Sequence, residues 1–233
     1  MGFSPTCKIE AHNPSQPPVP KPSKMPKRSF STAFPATPAA ADNSDEEGPE
    51  PLDIYRENNH VYFHSEVTRE SIVKLTQLLR QAEAVCIHMI FTHNIPSVPL
   101  YLHISSFGGS IFAALTAIDA IKACRVPIHT IIEGATASAG TLISVVGDKR
   151  FITPSAHMLI HQLSSACWGK MAEIEDEMQN LKGLMKQIRK IYKEHTKIPK
   201  DDLKEILKHD LWFNAKKSLE VGLVDEIWTN RLS

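Results

Sequence analysis

An apolar run, Ile128–Ile132, leads directly into seven small residues, Gly-Ala-Thr-Ala-Ser-Ala-Gly, at positions 134–140. A β-branched run that ends in such small side chains predicts a buried strand followed by a tight turn. Residues 139–146 then predict a buried helix whose first N–H groups point back towards Ser138. Because its neighbours are small, the Ser138 hydroxyl is accessible, and this serine is a candidate nucleophile. Close strand–helix packing alone would explain the same residues, and this stretch by itself leaves both interpretations open.

Short β-rich runs alternate with helical patterns on both sides of this stretch. Strands are predicted at 61–64, 100–105, 128–133, 150–153 and 157–160, and helices at 68–80 and 111–123. This order predicts an α/β fold with a largely parallel sheet wrapped by helices. Function is then expected at the turns where strands give way to helices, such as the glycine turn at 106–110.

A long amphipathic helix is predicted after the last of these strands. Apolar residues recur three and four positions apart from Met171 to Tyr192, and the pattern ends near Ile198-Pro199. An apolar stripe of this length packs against its own core, a second layer or a second subunit. Further along, Asn214 is a good N-cap for a helix over 215–221, and residues 223–228 predict a last strand or edge segment.

The first 51 residues differ in composition from the rest of the chain, since they hold 11 of the 16 prolines and almost no periodic apolar pattern. Such a segment cannot bury enough surface to offset the entropy cost of ordering it. We therefore predict a disordered Pro-rich tail or propeptide over 1–51 and one folded domain over 52–233. Four scattered cysteines without a Cys-x-x-Cys pair favour a reducing compartment. The predicted location is cytoplasmic, or an organelle matrix if the Ser/Ala-rich tail is a presequence.

Charge and motif content argue against several function classes. The chain carries 26 basic and 26 acidic residues, so bulk charge gives no argument for a nucleic acid or an anionic membrane as partner. No apolar run approaches the ~20 residues that a membrane span requires. Close histidine pairs lack the His-Glu-x-x-His spacing, and we predict neither a metal nor a cofactor. No Gly-x(4)-Gly-Lys-[Ser/Thr] motif occurs, so any ATP-driven step is expected to come from a partner.

Two further residues are candidates for a serine-based site. A serine hydroxyl needs a base to take its proton and a third group to orient that base. His161 follows a predicted strand, and Asp210 precedes the last predicted helix. The chain order Ser, His, Asp differs from the orders in α/β-hydrolases, chymotrypsin and subtilisin. Taken singly, such a histidine is more often a core residue and such an aspartate more often a helix-end or surface carboxylate, so residue type alone does not assign their roles.

The motifs together closely resemble the ClpP family, the proteolytic subunits of the Clp protease. The resemblance covers about residues 52–228 and rests on Gly108-Gly109-Ser110, on 134–140, on 158–162, and on Asp210 fifteen residues before the Asp of Gly222-Leu223-Val224-Asp225. It implies a ClpP/crotonase-like β-α-β superhelix with a protruding long handle helix. It also implies that Ser138 is the nucleophile, His161 the general base and acid, and Asp210 the orienting carboxylate. The backbone N–H groups of Gly109 and Ala139 would form the oxyanion hole.

The resemblance further implies a serine endopeptidase subunit that cleaves unfolded proteins and short peptides inside an oligomeric chamber. The chamber would be a heptameric ring, possibly stacked as a tetradecamer, and a Clp-type AAA+ unfoldase would supply substrates. Phe107 stands where the family usually has proline, and the loop over 163–170 is about two residues shorter than usual. Two alternatives remain open: a catalytically silent ClpP-like ring subunit, and a crotonase-type acyl-CoA enzyme that uses backbone N–H groups at the same two turns.

Overall fold

A computed structural model describes residues 53–229 of the chain. The tail predicted over 1–51 lies outside the described residues and stays a prediction. Strands and helices follow in the order β1 (Ile54–Glu57), β2 (His60–Phe63), α1 (Arg69–His93), β3 (Leu100–Ser106), α2 (Ile111–Lys122), β4 (Ile128–Ala137), α3 (Ala139–Ser144), β5 (Lys149–Ile152), β6 (His157–Leu159), α4 (Met171–His195), α5 (Lys200–Ile206), β7 (Trp212–Asn214), α6 (Ala215–Glu220) and β8 (Glu226–Ile227).

The strands form one sheet in the order β1-β2-β3-β4-β5-β8, with β6 and β7 off this path. Strand β4 is central, because its first half pairs with β3 and β5 and its last three residues pair with β6. All pairings of β4 are parallel, as are β2 with β3 and β5 with β8. Only β1 with β2 and β6 with β7 are antiparallel among the described strands. The predicted α/β fold with a largely parallel sheet is confirmed.

The core lies between this sheet and the helices α1, α2 and α3. Strand β4 contributes Ile128, Ile131 and Ile132, all fully buried, and each such side chain stabilises the fold by about 1.5–3 kcal/mol. Buried Ala114 and Ala117 on α2 have small side chains, so this helix can approach its neighbours closely. The strand-to-helix turns are therefore held by rigid packed elements on both sides.

Helix α1 is longer than the predicted 68–80. It begins after Thr68, whose hydroxyl accepts a hydrogen bond from the Ser71 N–H, and it ends at Asn94 in the left-handed conformation with φ 49°. Beyond residue 80 its buried positions are the small Ala82 and Cys86. Two small residues do not make a recognisable apolar stripe, which is why the periodicity ends the helix too early.

Helix α4 is a single unbroken element over 25 residues, close to the predicted range. Its C-terminal part packs on the core through Ile188, Ile191 and Tyr192. Its N-terminal part leaves Met171 and other apolar side chains exposed. No helix within residues 53–229 has the length and apolarity needed to cross a membrane.

One face of the sheet carries stacked aromatic and imidazole rings beside a half-buried carboxylate. The Tyr62 and His103 rings stack with centroids 4.3 Å apart. His103 Nδ1 lies 2.7 Å from one Glu133 oxygen, and His64 Nε2 lies 3.4 Å from the other. The hydrogen bond with His103 and then the close contact with His64 lower the pKa of Glu133 to about 2, against the unfavourable effect of partial burial. The carboxylate therefore stays ionised at pH values well below those at which a glutamate side chain ordinarily becomes protonated.

Replacing Glu133 with Gln is expected to make the free energy of unfolding depend less on pH in the acid range. The pKa of Glu133 in the folded chain, about 2, lies below the ordinary 4.5. The contribution of the Glu133 carboxylate to the free energy of unfolding is therefore complete above about pH 4.5 and is lost as pH falls towards about 2. Urea unfolding at a series of pH values should show the wild-type advantage over Glu133→Gln shrinking across that range. Glu226→Gln, which breaks only the exposed pair with Lys149, serves as control, and an equal trend in both variants would contradict the assignment.

Candidate active site

Ser138 forms the whole connection between β4, which ends at Ala137, and α3, which begins at Ala139. Its backbone has φ 54° and ψ −125°, a conformation that non-glycine residues rarely adopt and that costs on the order of 1–3 kcal/mol. The Ser138 N–H donates to Leu159 O at 2.9 Å, which ties this turn to β6. A serine on a sharp, strained strand-to-helix turn presents its hydroxyl away from the strand, as nucleophiles do.

Strand pairing brings His161 and Asp210 together next to this turn. Because β6 pairs with the end of β4, Leu159 lies beside Ala137, and His161 follows two residues later. Because β7 pairs antiparallel with β6, Trp212 lies beside Leu159, and Asp210 precedes it by two residues. His161 Nδ1 and Asp210 Oδ1 are 2.8 Å apart. The sheet thus gathers three residues that are far apart in sequence at neighbouring strand ends.

The His161–Asp210 hydrogen bond determines which imidazole nitrogen is free. A carboxylate only accepts, so Nδ1 donates, and Nε2 is left to accept a proton in the neutral ring. Ser138 and His161 line one small pocket together with Gly109, Ala139 and Tyr192. Among the described residues, the Ser138 hydroxyl makes no hydrogen bond with His161. Catalytic hydrogen bonds are often long in unliganded sites and shorten only when substrate is bound.

The glycine turn after β3 packs directly against Ser138. A Cβ on Gly108 would lie 2.7 Å from the Ser138 Cβ, and a Cβ on Gly109 would lie 2.4 Å from Val67 O. Val67 and Ser110 hold the turn through two hydrogen bonds, from Val67 N–H to Gly108 O and from Ser110 N–H to Val67 O, both 2.7 Å. Only residues without a side chain fit at these two positions.

Two backbone donors of the described residues remain unpaired at the pocket that Ser138 lines. Within residues 53–229, neither the Gly109 N–H nor the Ala139 N–H has a hydrogen-bond acceptor. Both residues line the pocket that Ser138 and His161 share. Two unpaired N–H groups on residues that line one small pocket are suited to bind an oxygen atom that carries negative charge if both point into it.

Sequence reasoning missed three residues at or beneath the site, Trp212, Thr141 and Tyr192. Trp212, 45% exposed, meets Phe107 edge to face at 6.3 Å, and this pair bridges the glycine turn and the segment that carries Asp210. The missed signal was an aromatic residue two positions after the candidate carboxylate. The buried hydroxyls of Thr141 and Tyr192 lie 2.7 Å apart behind the Ser138 turn. In the sequence, each is visible only as a hydroxyl-bearing residue within an apolar pattern: Thr141 in the helix predicted over 139–146, and Tyr192 at the end of the stripe that begins at Met171.

The Cys86 and Cys124 thiols are poor alternative nucleophiles. Desolvation by burial raises the pKa of the Cys86 thiol to about 11, so it is protonated and unreactive near neutral pH. Burial likewise raises the pKa of Cys124. In the part of the chain that the structure describes, no three His, Cys, Asp or Glu side chains are placed to hold a metal ion.

Comparison with known proteins places these features in a family. A sequence model described as Clp protease matches residues 55–231. The ATP-dependent Clp protease proteolytic subunit 2 of Treponema denticola is 36% identical over 135 residues, which cover 57% of this chain and 68% of that relative. The family match spans the glycine turn, the Ser138 turn, His161 and Asp210.

Proposed function

This chain belongs to the Clp protease family, and we propose that it is a serine endopeptidase that hydrolyses peptide bonds of unfolded proteins and short peptides. The observation that carries the proposal is the 2.8 Å contact between His161 and Asp210 at the pocket that also holds Ser138. The family supports a peptidase, and this geometry supports serine as its nucleophile.

In the proposed reaction, His161 Nε2 takes the proton of the Ser138 hydroxyl while the oxygen attacks the substrate carbonyl carbon. Asp210 holds the Nδ1–H and stabilises the imidazolium that forms. The carbonyl oxygen becomes an oxyanion, which accepts hydrogen bonds from the Gly109 and Ala139 N–H groups. His161 then gives its proton to the leaving amine, and an acyl-enzyme remains on Ser138. Water, deprotonated by His161, releases the second product and restores the serine.

A catalytically silent subunit is the second candidate function. It is favoured by one observation, the missing hydrogen bond between Ser138 and His161 in the described residues. Labelling with a fluorophosphonate separates the candidates, because only a serine with an active base reacts rapidly. We expect one label per chain, on the tryptic peptide that contains Ser138. An unlabelled but folded protein would favour the silent subunit.

We also propose that the subunit assembles into heptameric rings, possibly stacked as a tetradecamer, and that a Clp-type AAA+ unfoldase unfolds folded substrates and delivers them to it. The N-terminal half of α4 would serve as the handle at which rings meet. Met171, Ile174 and Met178 support this role, since they are 72%, 37% and 49% exposed. Apolar side chains that line one stripe of a helix and meet solvent are typical of an interface.

Replacing both Met171 and Met178 with Asp is expected to lower the particle mass from the stacked to the single ring, because two charges would be buried at the proposed contact. Met185, on the same stripe, is left unchanged because its Sδ accepts the Leu163 N–H at 3.2 Å within the chain itself. Analytical ultracentrifugation measures the change.

The matched control adds the same charge change on the opposite face of α4, at Asn180 and Gln187, both exposed. Asn180→Asp with Gln187→Asp should leave the particle mass unchanged. An equal loss of mass in both double variants, or in neither, would show that the apolar stripe of α4 is not the contact between rings.

A further inference from the structure

Two buried hydroxyls connect helix α4 to the turn that holds Ser138. Tyr192 is 1% exposed and Thr141 is fully buried. The Tyr192 oxygen lies 2.7 Å from Thr141 Oγ1, and Thr141 Oγ1 lies 2.6 Å from the Ser138 carbonyl oxygen. No other side-chain hydrogen bond reaches this carbonyl among residues 53–229.

The direction of both hydrogen bonds follows from the chemistry of the groups. A carbonyl oxygen only accepts, so the single Thr141 hydroxyl proton is donated to Ser138 O. Tyr192 must then donate to Thr141 Oγ1. Burial raises the pKa of Tyr192 above its ordinary value, so the phenol keeps the proton that it donates. The Thr141 N–H donates to the same carbonyl at 3.0 Å, which makes Ser138 O a doubly bound acceptor.

This carbonyl is part of the same rigid unit as the Ala139 N–H. The peptide bond is planar and trans, so the Ser138 C=O and the Ala139 N–H point in opposite directions. Holding the carbonyl towards Thr141 therefore directs the Ala139 N–H to the opposite side of this peptide unit. Ala139 lines the pocket together with Ser138, Gly109 and His161. The strained backbone of Ser138 needs such support to persist.

We propose that Thr141 and Tyr192 are positioning residues that lock the Ser138–Ala139 peptide plane, so that the Ala139 N–H is aimed at the oxyanion before substrate binds. This inference rests on the proposed serine peptidase function. In this proposal both hydroxyls act from within the chain, because Tyr192 donates to Thr141 and Thr141 donates to the Ser138 carbonyl. They act on the oxyanion donor through the Ser138 carbonyl, and Tyr192 supplies the link to α4.

Replacing Thr141 with Val tests the inference most directly, because it removes the hydroxyl and keeps the side-chain shape. We expect kcat for a fluorogenic peptide to fall about 10- to 100-fold, somewhat less than the loss of an entire oxyanion donor. KM should stay within about twofold, because the oxyanion contact forms only in the transition state. Thr141→Ser keeps the hydroxyl and should restore most of kcat. Tyr192→Phe should lower kcat about fivefold, the effect of one ordinary hydrogen bond.

Thr130→Val is the matched control. Thr130 is also fully buried, and its hydroxyl donates to the Ser144 carbonyl at 2.8 Å, with no contact to Ser138. The Thr130→Val substitution should lower the thermal midpoint of unfolding as Thr141→Val does, while kcat remains near the wild-type value. Equal losses of kcat in both variants would mean that general loosening of the core is responsible, and the positioning role would be refuted.

A crystal structure of Thr141→Val supplies a readout that does not depend on activity. The Ser138–Ala139 peptide is expected to rotate, or to occupy two orientations. An unchanged peptide orientation overturns the inference, whether or not the wild type is an active peptidase. If the wild type neither cleaves peptides nor reacts with a fluorophosphonate, the proposed function fails separately, and the peptide orientation still decides the positioning role.

Discussion

Replacing Ser138 with Ala is expected to lower kcat for peptide hydrolysis by about 10³-fold or more and to abolish fluorophosphonate labelling. The proposed nucleophile is lost, and the other members of a catalytic triad cannot act without it. The fold should survive, because alanine is close in size and the Ser138 hydroxyl makes no hydrogen bond among the described residues. Hydrolysis of a fluorogenic peptide, together with the thermal unfolding midpoint, measures both effects.

Ser155→Ala is the control for this experiment. Ser155 is an exposed serine in the turn before β6, outside the pocket that Ser138 lines. The Ser155→Ala variant should retain the wild-type kcat and full labelling by the fluorophosphonate. A Ser138→Ala protein that is folded and still cleaves the peptide at more than about a tenth of the wild-type rate would assign the nucleophile to another residue, and the proposed mechanism would be wrong.

The central part of the fold was predictable because its local signals agree with its tertiary environment. The run Ile128–Ile132 is β-branched and also buried, and the small residues that follow are the ones that the Ser138 turn requires. The N-cap at Asn214 was predictable for a similar reason, since its side chain accepts the Lys217 N–H at 2.9 Å within the same short segment. Such features depend only on neighbours in sequence.

Strands β1 and β7 and helix α5 were missed because they are short, with four, three and seven residues, and β7 also depends on a distant partner. Strand β7 has three residues, of which only Phe213 is buried, and it is defined by its pairing with β6 more than fifty residues earlier. No periodicity can be read over so short a segment. Its position matters for the site, because this pairing brings Asp210 within 2.8 Å of His161.

The candidate site was accessible from sequence only through family resemblance. Residue types and spacing suggested Ser138 but left His161 and Asp210 with ordinary structural explanations, and their catalytic roles remain predictions. The Thr141–Tyr192 hydrogen bond joins residues 51 positions apart, and neither belongs to a motif. Its importance depends on the direction in which one peptide plane is held, which is a property of three-dimensional packing alone.

Replacing Gly109 with Ala is expected to lower kcat about 10²- to 10³-fold, the usual effect of losing one oxyanion donor. The added Cβ would lie 2.4 Å from Val67 O and close to two further backbone atoms of Val67. Because backbone cannot rotate away as a flexible side chain can, the turn itself must move, and the Gly109 N–H moves with it. Steady-state kinetics at saturating peptide measure the loss of kcat, and affinity for a peptide boronate, which forms a tetrahedral adduct, should fall with it.

Gly134→Ala separates this displacement from backbone strain. Gly134 also has a positive φ, 58°, but the nearest atom to its added Cβ is Ser105 Oγ at 3.5 Å, an ordinary contact. Both variants place alanine in the left-handed half of conformational space and should lose stability by roughly 1–2 kcal/mol on that account. Only Gly109→Ala should also lose kcat and boronate affinity. If Gly134→Ala lost as much kcat, strain spread through the sheet would explain the effect. If folded Gly109→Ala kept kcat within about twofold of wild type, the Gly109 N–H would not be an oxyanion donor.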